Sequence, residues 1–288
     1  MSMKYTISLL LIFLFIVIND ATGQYDVRYE PSQPEVIAKM LTMAYVTGND
    51  IVYDLGCGDG RIVINAAKKY GAHGVGIDID PERIVESKEN ALKEGVTDKV
   101  LFVEQNLFEA DISEATVVML FLLPSVNLKL RPKLFRELAP GTRIVSHEHY
   151  MGEWKPDRTA EVEADGRNHM VYLWILPGNV SGTWEWTGST ETGKRHYSLN
   201  LAQKFQEISG TLYAGESIVP VTEMTIEGNR LRFAFEEETG NQTVTRMFVG
   251  LVNEKLIKGT VITKTGAKSR KNNWRAKRHP STIVPLEY

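Results

Sequence analysis

Apolar and polar positions along residues 36–176 form short hydrophobic runs separated by segments with helical spacing. The short runs are typical of buried strands, and the segments between them, several of which end in glycine, are typical of amphipathic helices. Predicted strands cover 51–55, 74–78, 99–105, 115–123, 142–149 and 170–176, and predicted helices cover 36–44, 61–71, 81–95 and 126–138, the last interrupted by Pro132. Strands that alternate with helices predict an α/β fold, a Rossmann-like, doubly wound, mostly parallel sheet with helices on both faces.

The pattern changes near the loop Pro177, Gly178 and Asn179. From Ser181 onward, short alternating segments are separated by turn signals about every 10 residues, which predicts an antiparallel barrel or sandwich of about eight strands. This patterning resembles that of small lipocalin-like barrels. We therefore expect one domain over residues 25–178 and a small β-domain over 182–288.

Composition supports two globular units, because the 288 residues are 43% hydrophobic and 24% charged. The net charge of −3 is shared unevenly, with −7 in residues 24–180 and +4 in residues 181–288, counted from the sequence. Residues 255–279 hold nine basic residues and no acidic one, but Trp274 is the only aromatic residue among them. We expect a solvated face of the β-domain there and no nucleic-acid partner.

Residues 1–23 have the layout of a signal peptide, with Lys4, an apolar run over residues 7–18 and small or polar residues up to Gly23. The apolar run is shorter than the roughly 20 residues that a membrane-spanning helix needs. We expect an exported protein, periplasmic or extracytoplasmic, or one that associates with a membrane through residues 7–18. Cys57 is the only cysteine, so no intramolecular disulfide can form.

The stretch IVYDLGCGDGRIVI, residues 51–64, joins the first predicted strand to the helix that follows it. Open α/β sheets bind ligands at such junctions. The spacing of Gly56, Gly58 and Gly60 is G-x-G-x-G, which differs from the G-x-G-x-x-G of pyrophosphate-binding loops. The Asp54 carboxylate would repel phosphate, so the loop favours a ligand with a cationic amino-acid tail. Asp78 ends the next strand, where an acid can accept hydrogen bonds from ribose hydroxyls. A tight turn without a ligand is the alternative.

The segment D-L-G-C-G-D-G resembles D-x-G-x-G-x-G, the first motif of class I S-adenosylmethionine-dependent methyltransferases. The resemblance covers roughly residues 29–176 and implies S-adenosyl-L-methionine as the cofactor. It places the methionine part at Asp54 and the three loop glycines, the ribose at Asp78 and the adenine beside Asn106. That last position is often Asp in the family, and Asn106 keeps an acceptor oxygen but brings no charge.

A narrower resemblance involves YEPSQPEVIAKML over 29–41, the glycine loop, and WKPD over 154–157. These segments look like those of the lysine methyltransferases that modify the ATP synthase c-subunit and the adenine nucleotide translocase, and of their bacterial relatives. The resemblance implies a protein lysine as methyl acceptor, and Tyr29 and Pro31 as residues that close over the cofactor. Two alternatives stay open: a small-molecule acceptor, or a non-catalytic scaffold of this fold with a ligand-binding β-barrel.

Methyl transfer to lysine requires a neutral amine, and the apolar stretch at the end of the fourth predicted strand, residues 121–124, offers no base. The nearest polar cluster is His147, Glu148 and His149. We expect His147 or Glu148 to orient the substrate or accept a proton, unless these residues simply end a strand at the surface. Successive residues of a strand face opposite sides, so the triplet is poorly arranged for a metal and we expect none.

Two further features have structural interpretations. Trp154 is expected to be a packing anchor instead of a platform for the substrate. Asp59 and Arg61, inside the glycine loop, are expected to cap the following helix or to pair with each other.

Overall fold

The computed structural model describes residues 30–190, 193–239 and 242–288. Its first sheet has seven strands in the order β3-β2-β1-β4-β5-β7-β6. Strands β1 to β5 are parallel, whereas β7 runs antiparallel to both β5 and β6. The strands are β1 Ile51–Leu55, β2 His73–Asp78, β3 Val100–Glu104, β4 Val117–Leu120, β5 Arg143–His147, β6 Arg158–Ala164 and β7 Arg167–Ile175, and the helices are α1 Pro34–Met43, α2 Arg61–Tyr70, α3 Pro81–Glu94 and α4 Pro124–Glu137.

This sheet confirms the predicted α/β fold. The strand order reverses between β1 and β4, and parallel sheets form a ligand-binding crevice at the carboxyl ends of the strands beside such a reversal. Local signals explain the helix bounds: α3, for example, starts where the Asp80 side chain accepts a hydrogen bond from the Glu82 amide at 2.8 Å. The crevice therefore lies where the glycine loop leaves β1.

Three differences between the predicted and the observed elements have a structural reason. The predicted strand over 115–123 is limited to β4, because the chain turns after Leu120 and α4 begins at Pro124. Helix α4 continues through Pro132. Strand β6 was not predicted, because it is an edge strand whose side chains are mostly exposed or half-buried and therefore lack an apolar run.

The second sheet is antiparallel throughout, with nine strands in the order β11-β10-β9-β8-β16-β15-β14-β13-β12. Strand β10 lies beside β12, so the sheet curves into a nearly closed barrel. About eight strands were expected; the additional one arises where Pro220 separates β11 from β12. The strands are β8 Gly182–Thr190, β9 Gly193–Lys204, β10 Glu207–Ala214, β11 Ser217–Val219, β12 Val221–Glu227, β13 Arg230–Thr239, β14 Gln242–Asn253, β15 Leu256–Thr265 and β16 Lys268–Arg278.

An aromatic cluster joins the two sheets. Trp154 is fully buried, and its ring lies 4.6 Å from the Phe135 ring and 5.9 Å from the Phe205 ring. Its indole Nε1 donates to Gln206 Oε1 at 2.8 Å, and the Phe135 ring stacks on Tyr288 at 4.8 Å. Trp154 is therefore a packing anchor between the sheets.

Residues 1–29 are outside the described part of the chain, and with them the predicted signal peptide and the Tyr29 assignment. Within residues 30–190, 193–239 and 242–288, no helix combines the length and the apolar character needed to cross a membrane.

Candidate active site

The glycine loop is held against the end of β2 by backbone hydrogen bonds. The amides of Gly56 and Cys57 both donate to the Ile77 carbonyl oxygen, at 2.8 and 3.0 Å. The Gly58 amide donates to Asp78 Oδ2 at 2.8 Å. The loop and the acid at the end of β2 therefore form one rigid unit at the carboxyl edge of the sheet.

Packing requires glycine in this loop. Gly60 has φ +78°, and a Cβ built there would lie 2.6 Å from the Phe102 ring, closer than side chains approach. Gly56 has φ +86°, and its Cβ would meet the Leu122 side chain at 2.9 Å. These glycines let the loop lie against β3 and the segment after β4, which leaves the loop backbone accessible to a ligand from the crevice side.

Asp54 is the most unusual ionisable group of the loop, because it is only 2% exposed. Burial, followed by the charges of Asp78 and Asp59, raises the pKa of the Asp54 carboxyl well above its usual range. Arg61 neutralises Asp59 through an ion pair of 2.6 Å, so the negative charge at the loop comes from Asp78 and, once a cation lies beside it, from Asp54. Such a site suits a ligand with an ammonium and a sulfonium group and disfavours a diphosphate. The residues thus fit S-adenosylmethionine.

The other two predicted cofactor residues already have partners in the fold. Asp78 Oδ1 accepts from the Asp80 amide at 3.0 Å, and each Asp78 oxygen retains a lone pair for a hydroxyl group. Asn106 Oδ1 accepts from the Phe108 amide at 3.0 Å, and Asn106 Nδ2 donates to Glu109 Oε1 at 3.3 Å. Asp78 ends β2 and Asn106 follows the adjacent strand β3, and their ribose and adenine roles stay predictions.

His147, at the end of β5, is buried within a cluster of rings and polar groups. It is 1% exposed, and its ring centroid lies 4.0 Å from that of Phe121. Its Nδ1 lies 3.0 Å from Ser32 Oγ, and its Nε2 lies 2.9 Å from His169 Nδ1. Burial, followed by electrostatic repulsion between the two imidazoles of His147 and His169 when both are protonated, lowers the pKa of His147 to about 3. The imidazole is therefore neutral near pH 7 and a weak proton acceptor.

Glu148 lies on the same side as His147, contrary to the strand alternation expected from the sequence. The residue has φ +61°, which ends the extended backbone and turns its side chain back. Glu148 Oε1 lies 3.8 Å from His147 Nε2 and 2.9 Å from His169 Nδ1. The expectation that Glu148 faces away from His147 is wrong, because alternation holds only while the backbone stays extended.

His169 belongs to this cluster, although the sequence did not predict it as a site residue. It lies on β7, is 1% exposed, and its Nε2 lies 3.0 Å from Asp165 Oδ1. His169, Val171 and Leu173 occupy alternate positions of β7 and are all buried. This alternation is the signal that could have placed His169 on the buried face of the strand.

The segment that precedes α1 connects the glycine loop to this cluster. Ser32 is buried; its carbonyl oxygen accepts from Arg61 Nη1 at 3.1 Å while its hydroxyl contacts His147. Glu30 forms an ion pair of 3.1 Å with Arg167 of β7. We call residues 30–33 the arm; it lies across the edge of the sheet between the loop and the histidines.

Comparison with known proteins agrees with this geometry. Residues 54–158 match the ANTKMT methyltransferase domain. A protein-lysine N-methyltransferase of Saccharolobus islandicus is 51% identical over 151 residues, which are 52% of this chain and 94% of the relative. The chain belongs to the ANTKMT methyltransferase family.

Other proteins match part of the same region. A human lysine N-methyltransferase, named for the ATP synthase c-subunit, is 33% identical over 140 residues, 49% of this chain and 59% of the human protein. A crystal structure of an RNA methyltransferase from Salinibacter ruber in complex with S-adenosyl-L-homocysteine has 54% identity and a TM-score of 0.48, covering 51% of this chain and 93% of that one.

The cofactor of this methyltransferase is S-adenosyl-L-methionine. The family match begins at Asp54 and includes the glycine loop, Asp78 and the end of β5, but it ends before His169.

Cys57, in the middle of the loop, is 5% exposed. Burial and the charge of Asp54 raise the pKa of its thiol, which makes it unreactive although it is unpaired.

Proposed function

We propose that this methyltransferase transfers a methyl group from S-adenosyl-L-methionine to the ε-amino group of a lysine in a protein. The main support is the relative from Saccharolobus islandicus, named a protein-lysine N-methyltransferase, which is 51% identical and of which this chain covers 94%. The human relative is also named a lysine N-methyltransferase. A second, independent support is the acidic, glycine-lined loop at the carboxyl ends of β1 and β2.

The loop residues would bind the cofactor mainly by charge. The bound cofactor supplies an electrophilic methyl group on a sulfonium. Asp54 would face its ammonium group, and Asp78 its ribose hydroxyls. The arm, fixed by Ser32 to both Arg61 and His147, would exclude water from its side of the crevice.

The acceptor lysine would enter between β4 and β5. The residues that follow β4 are apolar, and Leu123 among them is 43% exposed, so this surface can hold the aliphatic stem of a lysine. At the end of β5, the half-exposed Glu148 presents a carboxylate that can orient the amine, while the buried His147 fixes the neighbouring ring of Phe121. With a pKa of about 3, His147 is suited to positioning more than to proton transfer.

The first experiment separates binding from acceptor identity. Calorimetry of the purified chain with S-adenosylmethionine and with S-adenosylhomocysteine should give binding heat and a thermal shift. Asp78→Ala should weaken binding by about 1–3 kcal/mol, about 5- to 150-fold in Kd, because a charged hydrogen bond is lost. The exposed Asp98, in the turn before β3, provides the matched control Asp98→Ala. Absence of heat and of a thermal shift with both ligands would exclude the enzyme function.

The acceptor is identified with methyl-labelled cofactor. The label is incubated with soluble and membrane fractions and then located by separating proteins, lipids and small molecules, followed by mass spectrometry of the labelled protein. Methylated lysine in a protein is the expected product. Label found only in a small molecule or a lipid would overturn the acceptor class but leave the methyltransferase assignment intact.

We also propose that residues 25–178 form the methyltransferase domain and 182–288 the barrel domain, and that the chain is exported or anchored through residues 7–18. The apolar run in residues 7–18 supports the second part. A reporter fused after residue 30 tests this localisation. Reporter activity confined to the cytosol would contradict export, and it would also contradict an anchor that places the rest of the chain outside the cytosol.

A second function, ligand binding by the barrel, is favoured by a specific feature. A cavity of about 990 Å³ opens at one end of the barrel and is lined by Trp186, Phe248 and Trp274, with Arg246 at its side. Trp274 is 5% exposed, and within the described residues its indole N–H has no hydrogen-bond partner. Buried donors normally have a partner, so we propose that the cavity binds an amphipathic molecule with an acceptor atom.

This second function is tested with the fluorescent probe 8-anilinonaphthalene-1-sulfonate, which is both aromatic and anionic. Saturable binding that weakens severalfold in Trp274→Phe, which keeps a ring but removes the N–H, is expected. Equal affinity of wild type and variant, or no saturable binding, would refute the assignment of this cavity.

A further inference from the structure

His147, Glu148 and His169 direct three ligand atoms toward one point. His147 Nε2 and His169 Nδ1 are 2.9 Å apart, His169 Nδ1 and Glu148 Oε1 are 2.9 Å apart, and His147 Nε2 and Glu148 Oε1 are 3.8 Å apart. We propose that these three residues form a binding site for one divalent transition-metal ion, of which Zn²⁺ is the best match.

The separations fit the size of such an ion. A point equidistant from three atoms with these separations lies about 1.9 Å from each, whereas Zn–N and Zn–O bonds are about 2.0–2.2 Å. An ion slightly above the plane of the three atoms therefore reaches all of them at bonding distance with little movement of the side chains.

The hydrogen bonds around the histidines orient them for this role. Ser32 Oγ lies 3.0 Å from His147 Nδ1, and Asp165 Oδ1 lies 3.0 Å from His169 Nε2. If each of these ring nitrogens donates its proton to the neighbouring oxygen, the lone pairs of His147 Nε2 and His169 Nδ1 point at each other and at Glu148. A carboxylate that accepts from the second ring nitrogen of a histidine is the usual support of a metal ligand.

Three lone pairs at these distances repel one another unless a cation lies between them. A proton can bridge only one pair of atoms at a time, whereas a divalent ion interacts with all three. Two imidazoles and one carboxylate are ligands that Zn²⁺ and its neighbours in the first transition series prefer, while Mg²⁺ and Ca²⁺ prefer oxygen ligands. The Glu148 side chain is 27% exposed, so one side of the site stays open to water.

The site would fasten the arm to the sheet. His147 ends β5, His169 belongs to β7, and Ser32 connects the arm to the first of these ligands. A metal ion here would join β5 to β7 and, through Ser32, hold the arm across the crevice. It would also make Glu148 a positioning residue instead of a base. The family match ends at residue 158, so Asp165 and His169 lie beyond the matched region.

The test uses the untagged full chain, stripped with a chelator and titrated with Zn²⁺ and Co²⁺. We expect one ion per chain by calorimetry, a visible absorption band with Co²⁺, and a higher melting temperature with metal. Glu148→Gln and His169→Ala should each weaken binding by about 100-fold or more, and Asp165→Asn by about 10- to 100-fold, because it only orients His169. His196→Ala is the matched control, since His196 is a largely exposed histidine of the barrel.

Absence of stoichiometric binding by the wild type, or equal binding by Glu148→Gln and wild type, would overturn the proposal. Glu148→Gln preserves the size of a half-exposed side chain, so the test does not depend on the folding of His169→Ala. Binding of S-adenosylhomocysteine is measured on the same metal-free sample. Intact cofactor binding without metal binding would refute this site alone, whereas loss of cofactor binding bears on the proposed function.

Discussion

Replacing Asp54 by Asn should weaken cofactor binding and at the same time stabilise the protein without cofactor. The side chain is 2% exposed, and burial with the charges of Asp78 and Asp59 raises the pKa of its carboxyl well above the usual range. The ionised carboxylate is therefore costly in the free protein and becomes favourable only when a cation lies beside it. The substitution keeps the shape of the side chain and removes its charge.

The size of both effects follows from this burial. A lost hydrogen bond to a charged group costs about 1.5–3 kcal/mol, which raises the Kd for S-adenosylmethionine about 10- to 150-fold. Removing a buried carboxyl that must either hold a proton or ionise without a cation beside it should raise the free energy of unfolding by about 1–3 kcal/mol, or several degrees in melting temperature.

The raised pKa of Asp54 also determines how the stability of the protein changes with pH. A carboxyl whose pKa is higher in the folded than in the unfolded protein contributes most stability below its unfolded pKa, about 3.9, and loses it as the pH rises toward the folded value. The stability advantage of Asp54→Asn over wild type should therefore grow as the pH rises. Cofactor affinity of the wild type should rise over the same window, because the ligand's ammonium group selects the ionised form.

The assay combines calorimetry with thermal melts of wild type, Asp54→Asn and the exposed control Asp98→Asn, at about pH 5.5 and about pH 8. Wild-type affinity in the Asn variant at both pH values would refute the role of the Asp54 charge. A lower melting temperature of the cofactor-free Asn variant would refute the argument from burial, whatever its affinity.

Three further predictions test the packing of the two sheets. Gly60→Ala should lower the free energy of unfolding by about 1–3 kcal/mol in denaturant melts, because its Cβ meets the Phe102 ring at φ +78°, and an unchanged midpoint would contradict the packing described. Glu237→Gln should destabilise the barrel by about 3 kcal/mol, because Arg246 is 8% exposed and would lose the carboxylate that lies 2.7 Å from its Nε. Unaltered stability would show that water hydrates the Arg246 guanidinium in place of Glu237. Cys57 should react with a thiol reagent only after unfolding, and rapid labelling of the native protein would contradict its burial.

The elements that the sequence predicted most closely are those with local signals. Strand β1 has the predicted bounds, and α2 and α3 differ from prediction by one residue, because apolar periodicity and a terminal glycine lie within each segment. Strand β6 and the exact end of β4 were not predictable in this way. The exposed edge strand has no apolar run, and the end of β4 depends on where α4 begins.

The glycine loop and its place at the end of β1 could be predicted because the residues that form it are consecutive in the chain. Asp54 and the glycines are close in the chain, and a strand followed by a helix constrains where their backbone points. The hydrogen bond from the Gly58 amide to Asp78 joins residues 20 positions apart, but parallel neighbouring strands bring their carboxyl ends together in any such sheet. The sequence alone therefore determined the parallel part of the first sheet, the methyl donor and the loop that we propose binds it.

Only the tertiary structure determined the environment of His147. Antiparallel pairing of β5 with β7, in the register that sets His147 opposite Val171, brings His169 to within 2.9 Å of it. A single residue in a left-handed conformation, Glu148, then turns its carboxylate into the same space. Neither the register nor that one dihedral angle leaves a periodic trace in the sequence, because both result from the balance of contacts across the whole sheet.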